Sequence, residues 1–176
     1  MKYANLSIEC ECYNCLHGNG RPCLQPLFIT GLEHNVVARE SRVHGIGLFA
    51  RKRIHIGDII CLYSGTLVSA VKKSDFLAKV IVSKREMFID GGDVDNFSGR
   101  WINHMCNPNA RLIQPWEGNG ILRYKEKYAI IVVCIKNIQK GEEIFINYGI
   151  EYFMKDGVLD YVSYSYGCKK LSQKGM

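Results

Sequence analysis

The chain has no apolar stretch long enough to cross a bilayer. Its longest run, Tyr128 to Ile135, falls well short of the roughly 18 residues that a membrane helix needs. The amino-terminal segment Met1-Lys2-Tyr3-Ala4-Asn5 leads straight into charges and cysteines, with no apolar core of a secretory signal. Repeats and low-complexity tracts are absent as well. So is a clustered basic stripe: the net charge of +6, from 23 Lys and Arg against 17 Asp and Glu, is spread out, and Arg51-Lys52-Arg53 is its one dense run. A nucleic-acid groove usually shows such a stripe with interleaved aromatics, so this run reads as a solvated face. Neither a direct nucleic-acid site nor a membrane partner is expected, and the chain reads as soluble and intracellular. What is present is ordinary globular material, 47% apolar and 23% charged over 176 residues, enough for one domain with a small appended module.

Eight cysteines are unevenly placed. Cys10, Cys12, Cys15 and Cys23 crowd the amino terminus, while Cys61, Cys106, Cys134 and Cys168 are scattered. Cys134 lies inside an apolar run and reads as a small core hydrophobe. The first four form C-x-C-x2-C-x7-C, and in a reducing compartment four such thiolates commonly close a tetrahedral zinc site. The alternative is a loop of spare thiols.

Residues 1–26 show no apolar periodicity. From Leu27 onward the texture changes to short β-rich pieces separated by glycines. Leu27 to Thr30 and Val36 to Arg39 read as brief strands, and Ile59 to Tyr63 with Thr66 to Val71 as a strand pair turning at Ser64-Gly65. Ser74 to Lys84 fits either a short helix or a strand. Met87 to Asp90 is a strand ending at Gly91-Gly92. Ile121 to Tyr124 and Tyr128 to Ile135 form a hairpin, and Ile144 to Tyr148 is one more strand. The fold class is mainly β, with little helix.

Four islands could carry chemistry. In His44-Gly45-Ile46-Gly47 the third glycine and the helix of a dinucleotide fingerprint are missing, which leaves a backbone bend able to approach a ligand closely. Leu62-Tyr63-Ser64-Gly65 is a strand end with an aromatic. Ile102-Asn103-His104-Met105-Cys106-Asn107-Pro108-Asn109 is a rigid, polar, turn-rich segment whose His104 and Cys106 form at most half a metal site. Gly141-Glu142-Glu143 is a turn before a strand that ends at Tyr148-Gly149.

In this order the islands resemble the SET-domain protein lysine methyltransferases, from about Glu40 to Gly149. The ordered set G-x-G, Y-x-G, I-N-H-x-C-x-P-N and G-E-E-I-x-x-N-Y carries the resemblance. The stretch Ser41 to Phe49 looks most like the nuclear histone methyltransferase branch. The resemblance implies a SET fold of several short sheets, with the carboxyl-terminal strand threaded, knot-like, under the loop that holds the N-H-x-C motif. It implies three parts: a cysteine-rich pre-SET-like segment at 1–26, a SET domain at 27–149 and an aromatic post-SET-like tail at 150–176.

The resemblance further implies an S-adenosylmethionine site at His44, Gly45, Ile46, Gly47, Asn103 and His104. It implies a lysine channel in which Tyr148 orients the amine and Tyr63 supports it, a protein substrate (a histone tail first) and a nuclear location. If the substrate is not a histone, the location is cytoplasmic. A non-catalytic SET-like module that binds peptide or chromatin is the competing class. Some positions depart from the family pattern. Leu62 stands where many members have an acid, Asn147 where most have aspartate, and Ile146 in place of an aromatic linked to the number of methyls added. The usual cysteine-rich tail is missing, so Cys106 is expected to lack zinc partners and the aromatic tail from Tyr152 to Tyr166 to close the channel. A basic substrate would meet Asp90, Asp93 and Asp95, or Glu142, Glu143 and Glu151. The sequence sets no oligomeric state.

Overall fold

The structure is a computed structural model and describes residues 32–69, 74, 76–92, 98–114, 122–124, 127–155 and 158–159. The chain divides into two units, Met1–Leu32 and Glu33–Met176, and the described strands all belong to the second. The strand expected at Leu27 to Thr30 lies outside the described residues, as do the four amino-terminal cysteines.

Among the described residues twelve strands form in chain order. They are β1 (Val36–Glu40), β2 (Ile46–Ala50), β3 (Ile59–Val68), β4 (Leu77–Val82), β5 (Arg85–Asp90), β6 (Asn103–His104), β7 (Ala110–Ile113), β8 (Leu122–Tyr124), β9 (Lys127–Cys134), β10 (Glu143–Ile146), β11 (Met154–Lys155) and β12 (Val158–Leu159). The helical pieces among the described residues are single 3-10 turns at Leu32–Asn35, Ser98–Trp101 and Ile150–Phe153. One sheet has the order β1-β2-β10-β6, a second β4-β5-β3-β9-β7, and β8 pairs with β9. The expected β-rich, helix-poor class is the observed one.

The core follows the apolar pattern. Val132, Ile60, Ile89, Leu48, Ile138 and Ile144 are fully buried, each side chain contributing roughly 1.5–3 kcal/mol of burial. β9 is buried over Ala129 to Cys134 because it is covered on both faces, so its sequence is a continuous apolar run rather than an alternation. Cys134 is in that core, 1% exposed, and its thiol donates to the Lys136 carbonyl at 2.8 Å. The ambiguous segment is a strand: β4 alternates in burial and turns into β5 through Ser83 and Lys84, both at positive φ, as a two-residue hairpin demands.

The expected turn at Ser64-Gly65 is not there. β3 runs unbroken for 10 residues and changes partner at that point, pairing with β9 from Ile59 to Gly65 and with β5 from Thr66 to Val68. The glycine serves a close approach: a Cβ at Gly65 would collide with the Asp90 carbonyl. A glycine inside a strand often marks such an approach. Gly65→Ala should therefore cost at least about 2 kcal/mol, because backbone has to move. Gly57→Ala, at φ 91 with open space around it, should cost only about 1 kcal/mol. Urea denaturation of both variants checks the order.

Candidate functional site

The site is organised by β6, only two residues long. β6 pairs in parallel with β10, Phe145 opposite Asn103 and Ile146 opposite His104, and the Met105 N–H donates to the Ile146 carbonyl at 2.9 Å. A side-chain amide completes the arrangement. Asn109 Nδ2 donates to the Glu143 carbonyl at 2.8 Å, and Asn109 Oδ1 accepts from the Phe145 N–H at 2.8 Å. The carboxyl-terminal strand and the N-H-x-C segment are thus in direct contact, as the resemblance implied.

Asn103 and His104 are both buried and serve different neighbours. Asn103 Nδ2 reaches the carbonyls of His44 at 3.0 Å and Ile46 at 3.2 Å, and Glu143 Oε1 at 3.0 Å. Glu143 Oε2 in turn accepts from Ser41 Oγ at 2.9 Å, and Ser41 Oγ accepts from the Val43 N–H at 2.9 Å. The Asn103 amide thus holds the bend at His44 and Ile46, and one carboxylate links Asn103 to Ser41 ahead of the bend. A Cβ at Gly47 would run into that carboxylate, so any larger residue there would have to displace the Glu143 side chain from Asn103. Gly45 has φ 45 with nothing within 4 Å of a built Cβ, and His44 and Ile46 are exposed. Asn103 Oδ1 has no partner among the described residues. An open bend of exposed backbone beside an available acceptor suits the ammonium-bearing amino-acid end of S-adenosylmethionine, so the residues fit that group.

His104 faces the aromatic side. Its Nδ1 accepts from the Tyr148 N–H at 3.1 Å, which assigns the neutral ring with the proton on Nε2, 3.6 Å from Cys106 Sγ. The ring lies 4.8 Å from Phe153 and 5.5 Å from Tyr148 between centroids. The Tyr148 hydroxyl donates to the Ile102 carbonyl at 2.6 Å, and its ring meets Tyr152 edge-on at 4.7 Å. Burial holds the Tyr148 phenol far above its ordinary pKa, with Tyr152 and Glu143 adding to the rise. Tyr63 is raised likewise, first by burial and then by Tyr148, Asp90 and Tyr152, with Arg100 opposing. Both phenols stay protonated through the physiological range.

Cys106 is disulfide-bonded and offers no thiolate beside His104. No group of three or more His, Cys, Asp or Glu side chains able to hold a metal occurs among the described residues. Several acids expected to receive a basic substrate are engaged. Glu143 is turned inward, Asp90 Oδ1 accepts from Ser74 and Gly92, and Glu142 accepts from the Gln139 N–H at 2.7 Å. Asp93 and Asp95 lie outside the described residues, as does the tail beyond Leu159. Ser41 and Asn109 were missed as site residues, and Glu143 was expected to meet the substrate rather than to hold the bend. Their signal is weak, since each is a common polar residue whose partner is distant in sequence.

The family signature of the SET domain matches residues 45–149, and the chain belongs to this family. Its sequence is 32% identical over 117 residues to a histone H3 lysine-4 specific N-methyltransferase of Cryptococcus neoformans, covering 61% of this chain and 8% of that protein. It is 28% identical over 155 residues to a histone H3 lysine-36 specific N-methyltransferase of Debaryomyces hansenii, covering 82% and 20%. Against a humanized mutant of the Chaetomium thermophilum Polycomb Repressive Complex 2 the TM-score is 0.48 at 28% identity, over 65% of this chain and 15% of the other. The chain thus spans a fifth or less of the length of these relatives.

Burial lowers the His104 pKa below its ordinary 6.5. As pH falls below that value the unfolded chain takes up a proton that the folded ring refuses, so stability falls with it. Protonation of the folded ring also costs the bond from the Tyr148 N–H. Thermal unfolding between pH 7.5 and pH 5 should show this acid-side loss, and His104→Gln should flatten it.

Proposed function

We propose that the domain transfers a methyl group from S-adenosylmethionine to the side-chain amine of a protein lysine, with a histone tail as the substrate. The observation that carries this reading is the two-sided strand β6, which has the glycine bend on its Asn103 side and the Tyr148 phenol on its His104 side. A cofactor held at the bend and an amine held at the phenol would meet across one peptide. The H3-specific names of the relatives support a histone substrate, and a histone substrate implies a nuclear site of action. No helix among the described residues is long and apolar enough to cross a membrane.

The roles follow from the chemistry. Bound S-adenosylmethionine supplies an electrophilic methyl on a sulfonium, and the remaining task is alignment with a neutral amine. His44, Gly45, Ile46 and Gly47 offer backbone contacts, Asn103 holds the amino-acid end, and His104 keeps Tyr148 in place. A free lysine is charged below a pKa of about 10.4, and a dry channel lined by Tyr63, Tyr148, Tyr152 and Phe153 disfavours the ammonium form. Neither phenol acts as a general base, because burial keeps both neutral. With its proton committed to Ile102, the Tyr148 oxygen presents lone pairs to the amine and orients it. The thiol set Cys10, Cys12, Cys15 and Cys23 suits one structural zinc ion by its donor chemistry, and Tyr152 and Phe153 begin the closure of the channel.

Methyl-labelled S-adenosylmethionine offered with core histones and with denatured lysate tests the reading. Label should appear on a histone and fall at least about tenfold with Tyr148→Phe. Label confined to another lysate protein would move the substrate, and cofactor binding without any label would leave a non-catalytic module. Glu143→Ala removes the acceptor shared by Ser41 and Asn103 and loosens the bend, so calorimetry should show cofactor affinity down about tenfold, as the loss of a charged hydrogen bond implies. Glu143→Gln should lie between the two.

A further inference from the structure

Apart from the site, one surface gathers charge that the sequence leaves scattered. Residues 50–58 and 134–142 run antiparallel as an irregular ribbon. The Ala50 N–H donates to Glu142 at 2.9 Å and Gly141 to Ala50 at 2.7 Å. Ile54 and Ile138 exchange bonds of 2.9 and 3.0 Å, and the Gly57 N–H donates to Cys134 and Cys134 to Asp58, each at 2.9 Å. Ile54 and Ile138 point inward, 4% and 0% exposed. Between these anchors Arg51, Lys52, Arg53 and His55 face solvent from one segment, and Lys136, Asn137, Gln139 and Lys140 from the other.

The cations outnumber the acids. Arg51, Lys52, Arg53, Lys136 and Lys140 stand against Asp58 and Glu142, so the ribbon carries +3 of the chain's +6. None of the five cations forms an ion pair with a described residue. The two carboxylates are used within their own turns, Asp58 accepting from the His55 N–H at 2.8 Å and Glu142 from the Gln139 N–H. Arg39 adds a sixth cation at the edge, fixed by its bond to the Gly141 carbonyl at 2.8 Å and stacked over Phe49.

We propose that this ribbon docks on the phosphate backbone of duplex DNA. Several cations held on a hydrogen-bonded frame, with Asn137 and Gln139 as neutral donors, suit phosphate contacts, which position a protein without reading sequence. Neither segment contains Phe, Tyr or Trp, so the stacking platform that single strands require is missing. Duplex DNA is chosen over an acidic protein because a histone substrate is presented on DNA, and to that extent the proposal rests on the reading above. The ribbon ends at Glu142, six residues before Tyr148, a distance of about 20 Å along an extended chain.

Fluorescence anisotropy of the full chain with a labelled duplex of arbitrary sequence, over a salt series, tests this without any methyl transfer. With about five phosphates neutralised, the log–log salt slope should be about −4.5. Charge reversal at Lys52→Glu, Arg53→Glu and Lys140→Glu together should weaken binding at least about tenfold and flatten the slope. The control pair Lys84→Glu and Arg85→Glu, exposed on the β4–β5 turn, should leave binding within about twofold. Thermal melts confirm that each variant folds. Labelling of free histone tail peptide should be equal in wild type and the ribbon variant, while labelling of nucleosomes should fall only in the variant. The proposal is overturned if both variants bind DNA alike, if the duplex does not bind, or if polyglutamate competes as well as DNA does. Tail labelling without DNA binding would remove this proposal alone, and DNA binding without labelling would remove only the proposed enzyme activity.

Discussion

Two peptide units of β10, at Phe145 and Ile146, pair in parallel with Asn103 and His104, and every feature of the site hangs on this short ladder. Closing a loop of some forty residues for so few hydrogen bonds costs chain entropy. The structure offsets that cost by burial and by the Asn109 amide, which bonds to β10 at two backbone positions as a neighbouring strand would. Because the ladder sets β6 against β10, Asn103 can engage the glycine bend while His104 receives Tyr148.

Polarity is then divided across β6. On one side a half-buried carboxylate, Glu143, accepts from Asn103 and Ser41 and occupies the space that a Cβ at Gly47 would need. On the other side the groups are kept neutral by desolvation: the His104 ring falls in pKa and the Tyr63 and Tyr148 phenols rise. In the proposed reaction, a carboxylate latch facing a neutral, aromatic chamber would separate the binding of a zwitterionic cofactor end from the discharge of an ammonium.

Strands were legible where the local pattern was unambiguous. The apolar run of β9 and the hairpin with β8 follow from the sequence, as do the extended β2 and the turn at Gly141. The misreading at Ser64-Gly65 is instructive. A glycine after a serine between two apolar runs carries the same local signal whether it turns the chain or admits a neighbouring backbone, and only the position of Asp90 decides between them. Ser74 to Lys84 stayed open for a similar reason, since its apolar spacing fits both periods until pairing with β5 selects one.

The sequence by itself determined the fold class and the ordered motifs that carry the family resemblance, because these rest on residue type and local spacing. Asn103, His104, Tyr63 and Tyr148 enter the proposed site through that resemblance. The sequence did not reveal the roles of Ser41, Glu143 and Asn109, which are hydrogen bonds to partners 34 to 102 residues away. Nor did it show that Lys136 and Lys140 lie across from Arg51 to Arg53. Charge density and side-chain satisfaction are properties of neighbours in space, and backbone pairing between distant segments is what makes them neighbours.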